Sequence, residues 1–235
     1  YIMRNNLETL AKDLFDAAGI EYPNMSWTWG EYLAASQMLT KEGATPEAQQ
    51  FGCLIQFWGA RVYPWLWQNN GDLLNESRTQ CTINSPASRE ALRFLVDLRY
   101  KYKVTPATSP TNPDQDLTMF TSGRIGMMMT GAWDIQTLNN VPGFNWDIGP
   151  LPKKERHATL LGMENYGISA ATEHPEEAWL LFRFLLDKAA QTTMANTLEK
   201  QPSRISVANG PYLEADVPYN RRVFVEALDY AQIAP

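Results

Sequence analysis

The sequence predicts an α/β fold, and three observations within residues 118–152 carry the prediction. A helical segment ends at Gly123, because glycine readily takes the positive φ that a helix stop requires. The apolar run 125–129 is too short for a helix and is typical of a buried strand. Gly131 then allows a sharp turn, so that Trp133 is presented at the C-terminal end of the strand. Open α/β sheets bind their ligands at this end.

The chain before this stretch is predicted to form two helices and a strand. Residues 5–18 have apolar side chains on one helical face and are followed by a glycine, which predicts a helix. Thr28 and Glu31 have the spacing of a capping box, which predicts a second helix that runs to about Lys41. The apolar run 51–57 predicts a strand.

An aromatic segment, residues 58–67, follows the C-terminal end of that strand and holds four aromatic residues and one arginine. Trp58 and Trp65 share helical spacing with two aliphatic residues, which favours a place in the core. Arg61 and Tyr63 point elsewhere on the same helix. A core segment and a ligand pocket both remain open interpretations of this segment.

The rest of the chain continues the alternation of helices, loops and strands. Ser85 as N-cap and Pro86 in the first turn predict the longest helix. Three prolines within 104–114 predict a rigid surface loop. Further predicted elements are strands at 144–148 and 162–169, two helices between 175 and about 198, and a last helix over 217–232.

Composition and charge are those of a globular protein with a sizeable core. The 235 residues carry a net charge of −6, and acids and bases are interspersed. The absence of a basic stripe in the sequence argues against nucleic acid as a partner, because no surface would neutralise phosphates. No run reaches the roughly 18 apolar residues that a membrane-spanning helix needs.

The two cysteines and the first residues bear on the protein's context. Cys53 and Cys81 are too few for a disulfide framework, and spacing alone leaves their pairing open. The first residues have neither the basic start nor the apolar centre of a signal peptide, and position 1 is not Met. We therefore expect the chain to be part of a longer protein.

The search for catalytic and metal-binding motifs is mostly negative. The two histidines, His157 and His174, have no partners at metal-site spacing. The sequence contains no nucleophile elbow, phosphate loop or dinucleotide fingerprint, so we expect no catalytic residue, metal or cofactor. Asp134 and Glu164 could serve glycoside chemistry, because a carboxylate pair needs no fixed spacing. The surplus of aromatics, with 8 Trp and 10 Tyr, suggests an aromatic-lined site.

Several short segments are weak signals alone but specific in their order and spacing. They are KDLFDAAGI at 12–20, WTWGEY at 27–32, MFTSGR at 119–124 followed by Gly131 and Trp133, YGIS at 166–169 and QPSR at 201–204. Together they resemble extracellular solute-binding proteins of ABC importers, of the sugar-binding type, family 1, to which maltose-binding protein is distantly similar. One departure concerns the family's hinge strand, which has a Tyr-Asn pair where Leu10 and Ala11 stand here.

The resemblance implies a periplasmic-binding-protein type II fold with two α/β lobes that close at a hinge. Residues 13–160 would form the second, ligand-binding lobe, a mixed sheet flanked by helices. Residues 161–235 would be the hinge crossing and a mostly helical return segment that belongs to the first lobe, most of which is missing. Because an apolar face does not stay exposed, we expect the helices of 175–232 to fold back on 13–160 or to exchange with another copy.

The resemblance also implies which residues bind the ligand. Trp133 would stack on a sugar ring, because the apolar face of a pyranose suits an indole. Its neighbours would come from the aromatic segment and from the acid beside it, namely Trp58, Arg61, Tyr63, Trp65 and Asp134. Glu164 and Asn165 would lie where the chain crosses between the lobes.

The function implied is that of an extracellular or periplasmic substrate-binding component of an ABC transporter. Its partners would be a sugar or oligosaccharide and, for the full-length and membrane-anchored protein, the transporter's permease subunits. Three alternatives stay open: a carbohydrate-active enzyme domain using Asp134 and Glu164, a binding protein for a non-sugar solute, and a helical interaction module whose aromatics are core.

Overall fold

The computed structural model describes residues 2–107, 113–197, 201–214, 218 and 220–234. Within these ranges the chain forms two four-stranded sheets with helices around them. The strands are β1 Ile2–Asn5, β2 Leu7–Ala11, β3 Phe51–Leu54, β4 Ile125–Thr130, β5 Trp146–Gly149, β6 Thr159–Glu164, β7 Gln201–Pro202 and β8 Ala231–Gln232. The helices are α1 Lys12–Ala18, α2 Trp29–Leu39, α3 Gly59–Gln68, α4 Pro86–Tyr100, α5 Pro113–Thr121, α6 Ile135–Asn139, α7 Pro175–Leu185, α8 Lys188–Thr197, α9 Ile205–Ala208 and α10 Arg222–Glu226.

The central sheet is mixed, with strand order β3-β4-β2-β5. β3 and β4 run parallel, with Phe51 opposite Ile125, whereas β2 runs antiparallel to both β4 and β5. Parallel strands end at the same edge of a sheet, so the segments that follow β3 and β4 lie side by side. The mixed α/β architecture predicted from the sequence is confirmed.

Helices cover both faces of this sheet. Met127 and Met129 of β4 belong to one apolar cluster, which α2, α3 and α4 complete with Tyr32, Trp65 and Leu95. Met128 belongs to the opposite cluster, which contains residues of α5 and α6. The predicted strand at 125–129 is therefore present as a core strand that is buried on both sides.

The second half of the return segment packs on that opposite face. Tyr212 and Phe224 share the apolar cluster of Ile125 and Ile148, so this part folds back as one of the two expected arrangements. Helix α7 differs, because four of its large apolar side chains are between 49% and 61% exposed: Trp179, Leu180, Leu181 and Phe184.

The second sheet has the order β7-β1-β6-β8 and joins the two ends of the chain. β1 pairs antiparallel with β6 and β7, and β6 pairs parallel with β8. A single residue, Asn6, separates β1 from β2, so the chain passes from one sheet to the other at this point. The proposed lobe boundaries at 13–160 and 161–235 stay a prediction.

The helix predicted over residues 5–18 is wrong in its first half. β2 occupies Leu7–Ala11 and the helix begins only at Lys12. All five residues of β2 are buried, and the strand bonds to β4 on one side and β5 on the other. This two-sided pairing outweighs the helical spacing of the apolar residues.

Other boundaries agree or differ for local reasons. The capping box is present, since Thr28 accepts from the backbone N–H of Glu31 and the Glu31 carboxylate accepts from that of Thr28. The strand predicted at 51–57 ends at Leu54. The strand predicted at 162–169 is wrong beyond Glu164, because β6 occupies Thr159–Glu164 and residues 165–169 form no strand. In place of the last predicted helix, the structure has α10, a short 3₁₀ turn and β8. The predicted start of this helix, at 217, lies outside the described residues. Residues 108–112 of the predicted proline-rich loop also lie outside them.

Two further findings concern the cysteines and the question of a membrane-spanning helix. Cys53 is buried and Cys81 is exposed, and both are free thiols, so the pairing left open by the sequence is not formed. Within the described ranges, no helix combines the length and apolar character needed to cross a membrane.

Candidate functional site

A cleft of about 430 Å³ opens at the edge where β3 and β4 end. The segment after β3 contributes Gln56, Trp58 and Arg61, and β4 with the turn after it contributes Thr130, Trp133 and Asp134. Further walls come from the β1–β2 junction, α5 and β6, through Asn6, Asp116, Leu160 and Gly162. The parallel pairing of β3 and β4 thus brings two distant parts of the sequence together in one site.

The guanidinium of Arg61 lies close to two indole rings in this cleft. Its central carbon is 5.4 Å from the ring centroid of Trp58 and 5.3 Å from that of Trp133. Arg61 is 7% exposed and Trp58 is 55% exposed. A cation within about 6 Å of an aromatic ring is attracted to its face, more strongly when it is desolvated. Arg61 therefore holds both rings in place and leaves apolar indole surface open to a ligand.

Asn6 fixes the position of Arg61. Arg61 Nη1 donates to Asn6 Oδ1 at 2.9 Å, and Asn6 Nδ2 donates to the carbonyl of Ala60 at 2.6 Å. The carbonyl of Asn6 accepts from Thr159 Oγ1, which ties the junction to β6. Burial lowers the pKa of Arg61 to about 10, although Asp134, Glu8 and Asp116 oppose this shift. Arg61 stays cationic at neutral pH.

Two carboxyl groups flank this arginine. Asp134 accepts a hydrogen bond from Thr130 Oγ1, and Asp116 accepts one from Gln56 Nε2. Burial raises the pKa of both acids, against the effect of these hydrogen bonds and of Arg61. In the part of the chain that the structure describes, no three His, Cys, Asp or Glu residues are grouped to hold a metal ion.

Glu8 is buried near Arg61, on β2. It is 0% exposed, and neither carboxyl oxygen has a hydrogen-bond partner among the described residues. Burial raises the pKa of Glu8 to about 8, although the positive charge of Arg61 opposes the shift. Glu8 is therefore mostly protonated at neutral pH. In this form it does not neutralise the positive charge that Arg61 places in the cleft.

Four of the predicted site residues meet in the cleft: Trp58, Arg61, Trp133 and Asp134. Two others from the aromatic segment do not line it. Trp65 is 1% exposed within the apolar cluster of α2 and α4. Tyr63 packs against the same cluster and stacks on Trp67. Helix α3 packs this side against α2 and α4. The structure does not bring Tyr63 and Trp65 to the cleft, and their role as ligand neighbours stays a prediction.

The two residues predicted at the lobe crossing also lie outside the cleft lining. Glu164 is the last residue of β6, opposite Ile2, and Asn165 is exposed just beyond it. Gly162 and Leu160, earlier on the same strand, line the cleft instead. The crossing strand thus contributes to the site at positions two and four residues before Glu164.

Sequence reasoning missed Asn6, Gln56, Asp116 and Thr130. Asn6 falls within the false helix at 5–18, and Asp116 lies in the first turn of α5, where an acid is expected because it interacts favourably with the helix dipole. Thr130 is the last residue of β4 and Gln56 follows β3 by two residues, and both lie near residues that the sequence did identify. Their polar side chains at the ends of apolar runs were the available signal.

Comparison with known proteins gives the same fold over the whole chain. The chain is 29% identical to the ABC substrate-binding protein Lmo0181 from Listeria monocytogenes, solved in complex with cycloalternan, with a TM-score of 0.84. It is 26% identical to maltose-bound MalE3 from T. maritima, with a TM-score of 0.80. Both matches cover 100% of this chain, and it covers 60% and 61% of theirs, respectively.

A curated relative matches a shorter part. The galactooligosaccharide-binding protein of Bacillus subtilis is 29% identical over 96 residues, which are 40% of this chain and 23% of that protein. The chain therefore spans less than two thirds of the length of each of these relatives. The family model for bacterial extracellular solute-binding proteins matches residues 5–219. The chain belongs to the bacterial extracellular solute-binding proteins, a family of binding proteins and not of enzymes.

Proposed function

We propose that this chain is the ligand-binding part of a substrate-binding protein of an ABC importer, and that it binds a sugar or oligosaccharide. The observation that carries the proposal is the position of Arg61 beside both Trp58 and Trp133 in the cleft. Indole surfaces suit the apolar face of a sugar ring, whereas Arg61 and Asp134 suit its hydroxyl groups. The named ligands of the relatives, cycloalternan, maltose and galactooligosaccharide, support the same class.

The transport context rests on the family. Its members are extracellular, and we propose that the longer protein is exported, anchored at the membrane and delivers its ligand to permease subunits. We also propose that residues 13–160 belong to one lobe and that 161–235 return towards the other. Closure of the two lobes on a ligand would favour the state that the transporter recognises.

We infer that the cleft binds without catalysis. The rival enzyme hypothesis needs Asp134 and Glu164 to act together across one bond. Asp134 lines the cleft, whereas Glu164 does not. Incubation of the chain with aryl glycosides and oligosaccharides should therefore give no hydrolysis products by chromatography, and turnover that Asp134→Asn abolishes would instead support the enzyme hypothesis.

We propose self-association through α7 for the chain by itself. Four exposed apolar side chains on this helix, with Trp179 stacked on Phe182, favour contact with a second copy. Light scattering at increasing concentration should show dimers. Leu181→Glu should shift the equilibrium to monomer. A chain that stays monomeric at millimolar concentration would contradict this proposal.

A sugar panel tests the function. Maltotriose, cycloalternan and galactooligosaccharides are titrated into the chain while tryptophan fluorescence is followed, because the cleft holds two indoles. Binding of at least one sugar with a change in emission is expected. Because the chain covers 60% of its structural relatives, the longer protein is titrated in parallel. Binding of a peptide or polyamine but of no sugar, in both proteins, would overturn the ligand class.

A further inference from the structure

Two acceptor oxygens in the cleft wall have no hydrogen-bond partner among the described residues. Gln56 Nε2 donates to Asp116 Oδ2. This bond leaves Gln56 Oε1 and Asp116 Oδ1 buried and unpaired. A buried acceptor without a donor is unfavourable, so a ligand that supplies donors at this place gains affinity from the pairing.

Both residues are held by regular structure and not by a loose loop. Asp116 lies on α5 and is 4% exposed, and Leu117 beside it also lines the cleft. Gln56 follows β3 by two residues, where Ile55 is fixed by a hydrogen bond from its N–H to Thr105 Oγ1 at 3.0 Å. The two acceptors are therefore presented in a preorganised wall, which is what selective recognition needs.

The protein's own cation does not serve these oxygens. Arg61 lowers the pKa of Asp116 through its charge, but its Nη1 donates to Asn6. Its Nε has no hydrogen-bond partner in the ranges described. The cleft lining thus combines two acceptors, from Gln56 and Asp116, with the cationic donor group of Arg61.

The charges around the cleft favour a neutral ligand. The titratable residues that line it are one arginine, Arg61, and two acids, Asp116 and Asp134. Glu8 nearby is mostly protonated at neutral pH, because burial raises its pKa to about 8. An anionic group placed at Asp116 would meet two acceptors and a like charge, which opposes binding.

We propose that Asp116 and Gln56 are the specificity-determining pair of the cleft: they accept hydrogen bonds from neighbouring hydroxyl groups of a neutral sugar and reject sugars that carry a carboxylate. The proposal rests on the proposed function, since it assigns the recognition of sugar hydroxyl groups to two residues of the same cleft. A sugar hydroxyl can donate and accept, so it fits the two acceptors and the arginine. A uronate carboxylate can only accept.

Two cleft variants and one matched control test the pair. Asp116→Asn keeps the shape but removes the charge and one acceptor, and Gln56→Met keeps the length but removes the amide. Asp229→Asn makes the same chemical change on an exposed residue outside the cleft. Circular dichroism and thermal unfolding check that each variant is folded, and the two cleft variants give independent readings.

The ligands are maltotriose, cycloalternan and galactotriose as neutral probes, with trigalacturonate as the anionic counterpart of galactotriose. We expect wild type to bind a neutral probe and to bind trigalacturonate at least tenfold more weakly. Asp116→Asn should bind the best neutral probe about tenfold more weakly, because it loses a charge-assisted hydrogen bond. Gln56→Met should also bind this probe more weakly. Asp229→Asn should match wild type, and Asp116→Asn should discriminate less against trigalacturonate.

The possible failures are distinguishable. If neutral probes bind wild type and both cleft variants equally, the pair has no role and this inference is overturned, while the sugar-binding function stands. If trigalacturonate binds as tightly as the neutral probes, the charge selection is overturned. If no sugar binds wild type at all, both the proposed function and this inference are overturned.

Discussion

The guanidinium carbon of Arg61 lies 5.3 Å from the ring centroid of Trp133, although 72 positions separate the two residues in the sequence. The contact exists because β3 and β4 are parallel neighbours whose following segments meet at one sheet edge. It links the two aromatic walls of the cleft through one buried cation. The position of the indoles therefore depends on Arg61.

Replacement of Arg61 by Met should weaken ligand binding. Met keeps much of the apolar stem but removes the charge between Trp58 and Trp133, so the rings lose their common anchor. A desolvated cation–π contact contributes roughly 2 kcal/mol, and we expect a loss of affinity of about tenfold or more. Calorimetric titration with the best sugar measures it. Arg222→Met, at an exposed position, should bind like wild type, and equal affinity of both variants would argue against the anchoring role.

Glu8→Gln should change how stability depends on pH. Below about pH 4.5, the ordinary pKa of Glu8, it is protonated in both the folded and the unfolded chain and carries no penalty. Between pH 4.5 and about 8 the unfolded chain releases the proton while the folded chain keeps it, so stability falls as pH rises. The loss amounts to roughly 1.4 kcal/mol per unit of pKa.

Denaturant unfolding at pH 5 and pH 8 measures this effect. Glu8→Gln carries no titratable group, so its stability relative to wild type should rise by several kcal/mol between the two pH values. Glu76→Gln, which alters an exposed acid, should leave the pH dependence as it is. If the free energies of unfolding of wild type and Glu8→Gln change equally between the two pH values, Glu8 ionises in the folded chain as it does in the unfolded chain, and the prediction is contradicted.

Gly52→Ala should destabilise the fold. A Cβ at Gly52 would lie 1.9 Å from the backbone oxygen of Ser36, so α2 would have to move away from β3. Overpacking of this kind typically costs about 1–3 kcal/mol. At Gly167 a Cβ would meet no atom within 4 Å, and Gly167→Ala should be nearly neutral. Thermal unfolding of the two variants compares them, and equal melting temperatures would contradict the close approach.

The sequence was sufficient for the elements with a strong local signal. The capping box at Thr28 gave the start of α2, and Pro86 after Ser85 gave the start of α4. The short apolar run before Gly131 gave β4. At these places the local preference and the tertiary structure agree.

The errors arise where long-range pairing decides. Leu7 and Leu10 have the spacing of a helix, yet each faces a different apolar cluster as part of a strand between β4 and β5. Trp65 carries an indole that could stack on a sugar ring, but this side of α3 packs against α2 and α4. Asp116 enters the cleft because α5 packs beside β4, a contact that one sequence does not reveal.

The most direct test of the account compares Trp133→Ala with Trp179→Ala by calorimetric titration of the best-binding neutral oligosaccharide. Trp133 lines the cleft, whereas Trp179 is 49% exposed on α7, away from the cleft lining. Removal of a central aromatic contact typically costs 2 kcal/mol or more, so Trp133→Ala should lose about thirtyfold in affinity. Trp179→Ala should bind like wild type. Unchanged binding by a folded Trp133→Ala variant would contradict the proposal that this cleft is the sugar-binding site.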